Sequence, residues 1–254
     1  MKRRSRDNDH PPHGLHDKHA KGGPMKAKPR SLEQLVKEQL DKWNGLPVQT
    51  RKTKERPAPV ITVSREPGCG GTAIARKLSS ALGMDLVSGQ IIQKVADSAE
   101  MSEKVVASLD EKQVTRRDDW LTSLFEVRHL WPDSYLRHLT KVVGTVGRHG
   151  NAVILGRGAN FMLPPEETFR IRLIGPREAR IARVMKDKKV SGSEAEEYVV
   201  RTESDRNAFV RKYFHADIGD PAHYDMILDT SRLGIDGVVE SVKAAYAAWR
   251  KIAG

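Results

Sequence analysis

The stretch Ser64-Arg-Glu-Pro-Gly-Cys-Gly-Gly-Thr72 combines a glycine-rich turn with a hydroxyl, and the chemistry open to it is capture of an anion. Glycines at 68, 70 and 71 let the backbone turn through positive φ and come close to a ligand. Successive N–H groups and the N-terminus of a following helix then face phosphate oxygens. Ser64, Gly68, Cys69, Gly70, Gly71 and Thr72 are the candidate phosphate-binding residues, and Thr72 stands where the hydroxyl of such a loop holds Mg²⁺. Set against the pattern G-x-x-x-x-G-K-[ST], counting back from Thr72 puts Gly71 at the lysine and Arg65 at the first glycine. The backbone cradle is kept and the point charge is not. An ordinary strand-to-helix turn rich in glycine is the plainer reading of the same residues.

The flanking residues supply the elements that would hold such a loop. Val60, Ile61 and Val63 form a β-branched run suited to a buried strand, and Ile74, Leu78 and Leu82 recur at helical spacing. Gly83 is placed as a helix C-cap, followed by a second strand over 84–87, the turn Ser88-Gly89-Gln90 and a helix carrying Ile91, Ile92 and Val95. Three helical segments are expected between 101 and 150: around 105–109, around 120–130, and from Tyr135 to Val146, with Gly150 closing the last. Strand three spans 151–155 and ends at Gly156-Arg157-Gly158; strand four spans 169–174. Pro176 opens a helix on which Arg177, Arg180 and Arg183 are three apart, forming either a cationic stripe or a solvated face. A polar helix from about Ser193 to Tyr213 is expected to start on a capping box from Ser193 to Glu196. Strand five spans 224–228, and the closing helix runs from Ile235 to Trp249. Strands alternating with helices predict an α/β fold with a parallel sheet covered on both faces. Ligands of such sheets lie beyond the carboxyl ends of the strands. The loop at Ser64, the Ser88-Gly89 turn, Gly156-Arg157-Gly158 and Asp229-Thr-Ser231 all fall on that rim.

The formal charge of +11 is unevenly distributed. Fifteen Lys and Arg against seven Asp and Glu leave +8 in residues 1–58 and +3 in the rest, so the body is not strongly basic. Residues 1–30 have almost no large apolar side chain and are expected to be disordered. His10, His13, His16 and His19 within them form either a metal-binding tract or a solvated tail, and the basic residues suit weak, salt-sensitive contact with nucleic acid or another anion. Leu32, Leu35, Val36, Leu40 and Trp43 share one face of an amphipathic helix over 31–43, a docking face either for its own domain or for a partner. Residues 44–58 read as a linker, which leaves 59–254 as the globular domain. The single cysteine, Cys69, excludes an internal disulfide framework and suits a reducing compartment; within the loop it is either a small filler or an oxidation-sensitive thiol. No apolar run approaches a membrane span and the basic start lacks a secretory signal, so a cytoplasmic, non-membrane protein is expected.

Five motifs, taken in order, resemble the cytidylate kinase-like family, a branch of the P-loop nucleoside monophosphate kinases. Ser64-Arg-Glu-Pro-Gly-Cys-Gly-Gly71 is similar to the branch's S-R-E-x-G-x-G-G loop, and Leu86-Val-Ser-Gly89 to the D-S-G turn that receives the acceptor nucleotide. Leu155-Gly-Arg-Gly158 is similar to a D-G-R-D turn, Arg201, Asp205 and Arg206 to the lid's R-x-x-x-D-R, and Leu228-Asp-Thr-Ser231 to the last strand's L-D-[ST]-[ST]. The resemblance covers about residues 60–245. It implies a P-loop NTPase three-layer fold of five parallel strands, a helical acceptor-binding insertion at about 85–150 and a mobile lid at about 186–215. It also implies transfer of the γ-phosphoryl group of ATP, with Mg²⁺ as cofactor, to a pyrimidine monophosphate such as CMP or dCMP. Ser88, Gly89, Gln90 and Arg157 then become acceptor-binding residues, and Arg65, Arg157, Arg180, Arg183, Arg201 and Arg206 the catalytic cations. Arginine suits such chemistry because its planar fork binds phosphate bidentately and stays charged.

The sequence also departs from the pattern. Gly71 replaces the lysine, Leu155 and Gly158 replace both acids of the D-G-R-D turn, and Val87 replaces the acid before Ser88. Arg65 or Arg157 is the candidate substitute cation, and Asp229 or Glu66 the candidate carboxylate for the metal. For Arg201 and Asp205, four apart, a surface ion pair worth about 0.3–0.5 kcal/mol competes with a lid role. Two further functions stand beside the kinase: a catalytically silent nucleotide-binding sensor, and a nucleic-acid binder resting on tail charge alone. The residues name neither the acceptor base nor an oligomeric state.

Overall fold

The computed structural model describes residues 59–98 and 134–253, together with Glu38. The rest of the extension over 1–58, with its histidines and its amphipathic stretch, lies outside the described residues, as do the expected helices around 105–109 and 120–130.

Five strands, β1 (Val60–Arg65), β2 (Asp85–Ser88), β3 (Ala152–Leu155), β4 (Thr168–Ile174) and β5 (Met226–Asp229), pair in parallel in the order β2-β3-β1-β4-β5. Seven helices accompany them among the described residues: α1 (Gly71–Leu82), α2 (Gly89–Ala96), α3 (Ser134–His149), α4 (Ala159–Met162), α5 (Arg177–Lys188), α6 (Gly192–Phe214) and α7 (Thr230–Ala253). This is the three-layer α/β fold that the sequence predicts.

Side chains of a strand alternate between faces, and each face here meets its own helices. Val60, Ala152 and Ile154 pack with Ile92, Leu136, Leu139 and Val143 of α2 and α3. Ile61, Val63, Val153 and Leu155 pack on the opposite face with Ile74 and Leu78 of α1 and Val238 and Val242 of α7. Because all five strands run the same way, Arg65, Ser88, Leu155, Ile174 and Asp229 end on one rim.

Local signals account for most boundaries. α1 stops at Gly83, whose left-handed φ of 64° brings its N–H to the carbonyls of Ser79 and Ser80. The expected capping box shifts by two residues. Ser191, not Ser193, caps α6: its Oγ accepts from Glu194 N–H at 3.3 Å while Glu194 Oε2 accepts from Ser191 N–H at 2.8 Å. Ser191 and Ser193 each precede a glutamate by three residues, so the local pattern is degenerate. The choice is made where Val190 packs against the cluster of Val184, Ala195 and Val199. Glu196 instead pairs with Arg177 at 3.1 Å. β5 begins later than expected, after a 3₁₀ turn at Pro221–His223, and α7 is broken at Gly234 (φ 65°, ψ 177°), so that its long second part starts at Ile235 as the sequence predicts.

Candidate functional site

The loop between β1 and α1 turns through Gly68 (φ 84°) and Gly70 (φ 72°). Both glycines are also required by close approach. A Cβ at Gly68 would overlap the carbonyl of Arg180, and one at Gly70 would lie 2.9 Å from Arg183 Nη1. Gly70 is the N-cap of α1 and supplies no side-chain acceptor, and the first turn of α1 carries no acid. The first N–H groups of a helix have no intrahelical partner, so this end faces the rim as a donor surface for an anion. Thr72 lies exposed in that first turn. Ser64 does not face the loop's anion side: its Oγ is buried and accepts from Arg172 Nη1 at 3.0 Å. Cys69 is 1% exposed, and burial pushes its thiol up to about 11, with the Glu66 carboxylate adding to the shift. It is therefore the small filler of the loop and not a reactive thiol.

The expected arginines divide into two groups. Arg180 is neutralised and tethered: Nε lies 3.2 Å from Glu66 Oε2 and donates to Gly175 O at 2.9 Å, while Nη1 reaches Glu203 Oε2 at 3.0 Å and Pro67 O at 3.4 Å. Glu66 also accepts from Gly175 N–H at 3.1 Å and stands 3.9 Å from Arg172. Its carboxylate is thus committed to holding β1 and β4 ends together, which answers the expectation that it serves a metal. Arg172, on β4, is buried among Ser64, Glu66 and the Tyr224 ring. The stripe of Arg177, Arg180 and Arg183 is divided: exposed Arg177 meets Glu196 on α6 at the surface, Arg180 is buried, and Arg183 Nη1 lies over the loop, 3.3 Å from Gly68 O and 3.5 Å from Thr230 Oγ1. Helices α5 and α6 enclose a groove of about 430 Å³ lined by Arg177, Arg180, Glu203, Ser204, Asn207 and Arg211, which touches the loop through Arg180.

Arg65, Arg157 and Arg206 form the second group. Arg206 Nη1 donates to the main-chain oxygen of Arg65 at 2.6 Å, which ties α6 to the end of β1. Arg157 Nε donates to Gly89 O at 3.2 Å, which ties the ends of β2 and β3. Arg157 has φ 57° between two left-handed glycines, 156 and 158, an uncommon backbone state for a residue with a Cβ and one that concentrates at functional sites. Burial pushes Arg65 below the ordinary arginine range, and the charges of Arg206 and Arg157 push in the same direction. Among the described residues no carboxylate pairs with any of the three.

The remaining site candidates have structural duties or lie exposed at the surface. Ser88 caps α2, accepting from Ile91 N–H at 3.3 Å, and Gly89 must lack a Cβ because one would lie 2.9 Å from Leu155 O. Gln90 is exposed, as are Arg201 and Asp205; no ion pair joins the last two among the described residues. Asp229 accepts from the N–H and Oγ of Ser231, bonds that hold its carboxyl below the usual range. The departures at 155 and 158 have packing causes. Leu155 is 3% exposed in the core, and a Cβ at Gly158 would lie 2.5 Å from a ring carbon of Phe214, which stacks on Phe161. Sequence reading missed Glu66, Arg172 and Glu203 as organisers of the rim. One signal was present: arginines at 170 and 172 share a face of an otherwise apolar strand.

The family model described as "Cytidylate kinase-like family" matches residues 60–232. A cytidylate kinase of Ignicoccus hospitalis is 27% identical over 185 residues, spanning 72% of this chain and 96% of the relative. One from Methanothrix thermoacetophila is 30% identical over 191 residues, spanning 74% and 98%. The crystal structure of an uncharacterized protein from Eubacterium ventriosum shares the fold at 19% identity, with a TM-score of 0.58 over 75% of this chain and 98% of that one.

Two measurements check this geometry. Cys69 in the native protein is expected to react with a thiol reagent at pH 8 at least about a hundredfold more slowly than in the denatured chain, because a rise from 9.0 to about 11 removes that much thiolate before access is counted. Gly158→Asp is expected to lower stability to urea by about 1–3 kcal/mol, since the new Cβ, on a left-handed backbone, displaces Phe214.

Proposed function

Because this chain belongs to the cytidylate kinase-like family, we propose that it is a phosphotransferase moving the γ-phosphoryl group of ATP to a nucleoside monophosphate, with CMP or dCMP as the expected acceptor. The observation that carries this reading is the meeting, on one rim, of a left-handed glycine loop with three guanidinium groups that no carboxylate neutralises among the described residues. Phosphoryl transfer asks a protein for positioning and for neutralisation of charge spreading over the phosphate oxygens, and little else.

In this reading the loop N–H groups and Arg183 bind the donor's phosphates, and Arg157, fixed to Gly89, binds the acceptor phosphate where β2 and β3 end. An acceptor phosphate oxygen attacks the γ-phosphorus, and the bond to the bridging oxygen breaks to leave ADP. Arg180 acts as a positioning residue, its guanidinium already occupied by Glu66, Glu203 and the loop carbonyl of Pro67. Mg²⁺ neutralises the β and γ oxygens when bound. Among the described residues no three His, Cys, Asp or Glu gather as ligands, which suits a cation that keeps its waters and is held chiefly by phosphate, with the exposed Thr72 hydroxyl as its protein ligand. The absence of a lysine at 71 favours a second reading, a nucleotide-binding sensor without turnover.

Incubation with ATP, Mg²⁺ and a panel of monophosphates is expected to give acceptor-stimulated ADP, greatest with CMP or dCMP. Arg157→Ala is expected to lower that rate about a hundredfold or more with the far-ultraviolet circular dichroism unchanged. ATP binding without acceptor-stimulated ADP selects the sensor, and a folded protein with no affinity for any nucleoside di- or triphosphate rules out both.

A further inference from the structure

Gly71 and Arg65 stand in each other's customary places: the residue at the loop's lysine position has no side chain, and the residue at its first glycine has a long cationic one. The structure gives this exchange a physical cause. A Cβ on Gly71 would lie 2.8 Å from Arg65 Cγ and 3.0 Å from Arg65 Cβ, so the stem of Arg65 runs across the ground that a lysine at 71 would start from. Farther along, a Cβ on Gly156 would overlap Arg65 Nη1, so the head group rests against the end of β3. Two glycines from separate segments are thus shaped around one side chain, whose stem crosses from the glycine loop to the turn that carries Arg157.

Among the described residues the head group has no partner. No hydrogen bond or ion pair of the Arg65 guanidinium is formed among the described residues; the titratable groups near it are Arg157 and Arg206, both positive, and the Tyr198 hydroxyl. A guanidinium does not shed its proton to relieve such repulsion. The two places where the family's turn has acids are filled by buried Leu155 and by Gly158 beneath Phe214, which removes the nearest means of neutralisation. A packed cation without a counter-charge costs stability, and it is retained where a ligand supplies the missing charge.

We propose that Arg65 is the catalytic cation of this site, entering from the end of β1 over Gly71 to bind the terminal phosphates of the nucleotide in place of a loop lysine. The inference rests on the phosphotransferase reading above and deepens it. Its planar fork spans two phosphate oxygens at once, whereas an ammonium at 71 offers a point charge. Gly71 and Gly156 are then not losses from the motif but the space the arginine needs.

The test compares the full-length protein with Arg65→Met, Arg65→Lys, Gly71→Lys and the double variant Arg65→Gly/Gly71→Lys. Calorimetry with ATP, ADP and inorganic tripolyphosphate is combined with thermal unfolding in the absence and presence of ADP. Arg65→Met is expected to bind ATP on the order of tenfold to a hundredfold more weakly, as loss of a charged hydrogen-bonding pair requires. Its ligand-free unfolding temperature should be equal to or above that of the wild type, an outcome that a merely structural arginine would not give. Arg65→Lys is expected to recover part of the affinity, and Gly71→Lys alone to lose both stability and affinity through collision with the stem. The double variant is expected to return to within about tenfold of wild-type affinity. Unchanged ATP affinity in Arg65→Met, or a well-tolerated Gly71→Lys, overturns the inference while leaving the phosphotransferase reading in place. Wild-type binding of tripolyphosphate but of no nucleotide overturns the phosphotransferase reading and keeps Arg65 as a polyphosphate ligand. If the double variant does not fold, the Met and Lys variants at 65 decide the matter alone.

Discussion

Positive charge that the described residues leave unbalanced at the end of β1 is the constraint around which this rim is arranged. Three guanidinium groups, on β1, on the turn after β3 and on α6, meet there, and the latter two are held by hydrogen bonds to main-chain oxygens instead of carboxylates. Other arginines of the sheet and its rim are neutralised: Arg170 is clamped by Asp225 through two side-chain bonds of 2.8 and 3.2 Å, and Arg172 and Arg180 share Glu66. The contrast lies on one small surface, so it reflects what each position is for. Buried ion pairs fix geometry, because breaking one leaves an uncompensated charge. Unpaired cations hold attraction in reserve for an anion that arrives from solution.

Glu66 connects the two populations. It follows Arg65 directly, and its carboxylate accepts from Gly175 N–H while pairing with Arg180, which in turn reaches Pro67 O and Glu203. The loop backbone is thereby fixed from β4, α5 and α6 at once. Preorganisation of this kind matters to phosphate chemistry because donors already in position need no reorganisation as charge develops. The adjacent residues of one dipeptide thus serve opposite ends, Glu66 neutralising its surroundings and Arg65 remaining without a partner among the described residues.

Space for this arrangement is made by glycine. Gly68 admits the backbone of α5, Gly71 and Gly156 admit Arg65, and Gly158 admits Phe214, so positions that look like defects in a phosphate-binding motif are contact surfaces. Phe214 ends α6 and stacks on Phe161 of α4, while Arg206, two turns earlier, holds the main-chain oxygen of Arg65. α6, the helix over the expected lid segment, is therefore fastened at both the loop and the turn after β3. Changing Gly158 acts on that fastening and through it on the position of Arg206.

Five strands, their parallel class and the glycine loop were legible in the chain because periods of 2 and 3.6 and the turn residues between them are local properties. Composition likewise located the basic surplus in the first 58 residues. The fate of each arginine was not legible. Arg177, Arg180 and Arg183 are equally spaced on one helix, yet one meets α6 at the surface, one is buried against Glu66 and Glu203, and one lies over the loop. Nor did the sequence distinguish a lost lysine from a displaced cation, since the side chain that fills the space of residue 71 also requires a glycine at 156. Patterning along a chain determines which residues reach a rim. Whether a charge there is neutralised depends on partners more than a hundred residues away, as between Arg180 or Arg172 and Glu66, and only the packed structure brings those together.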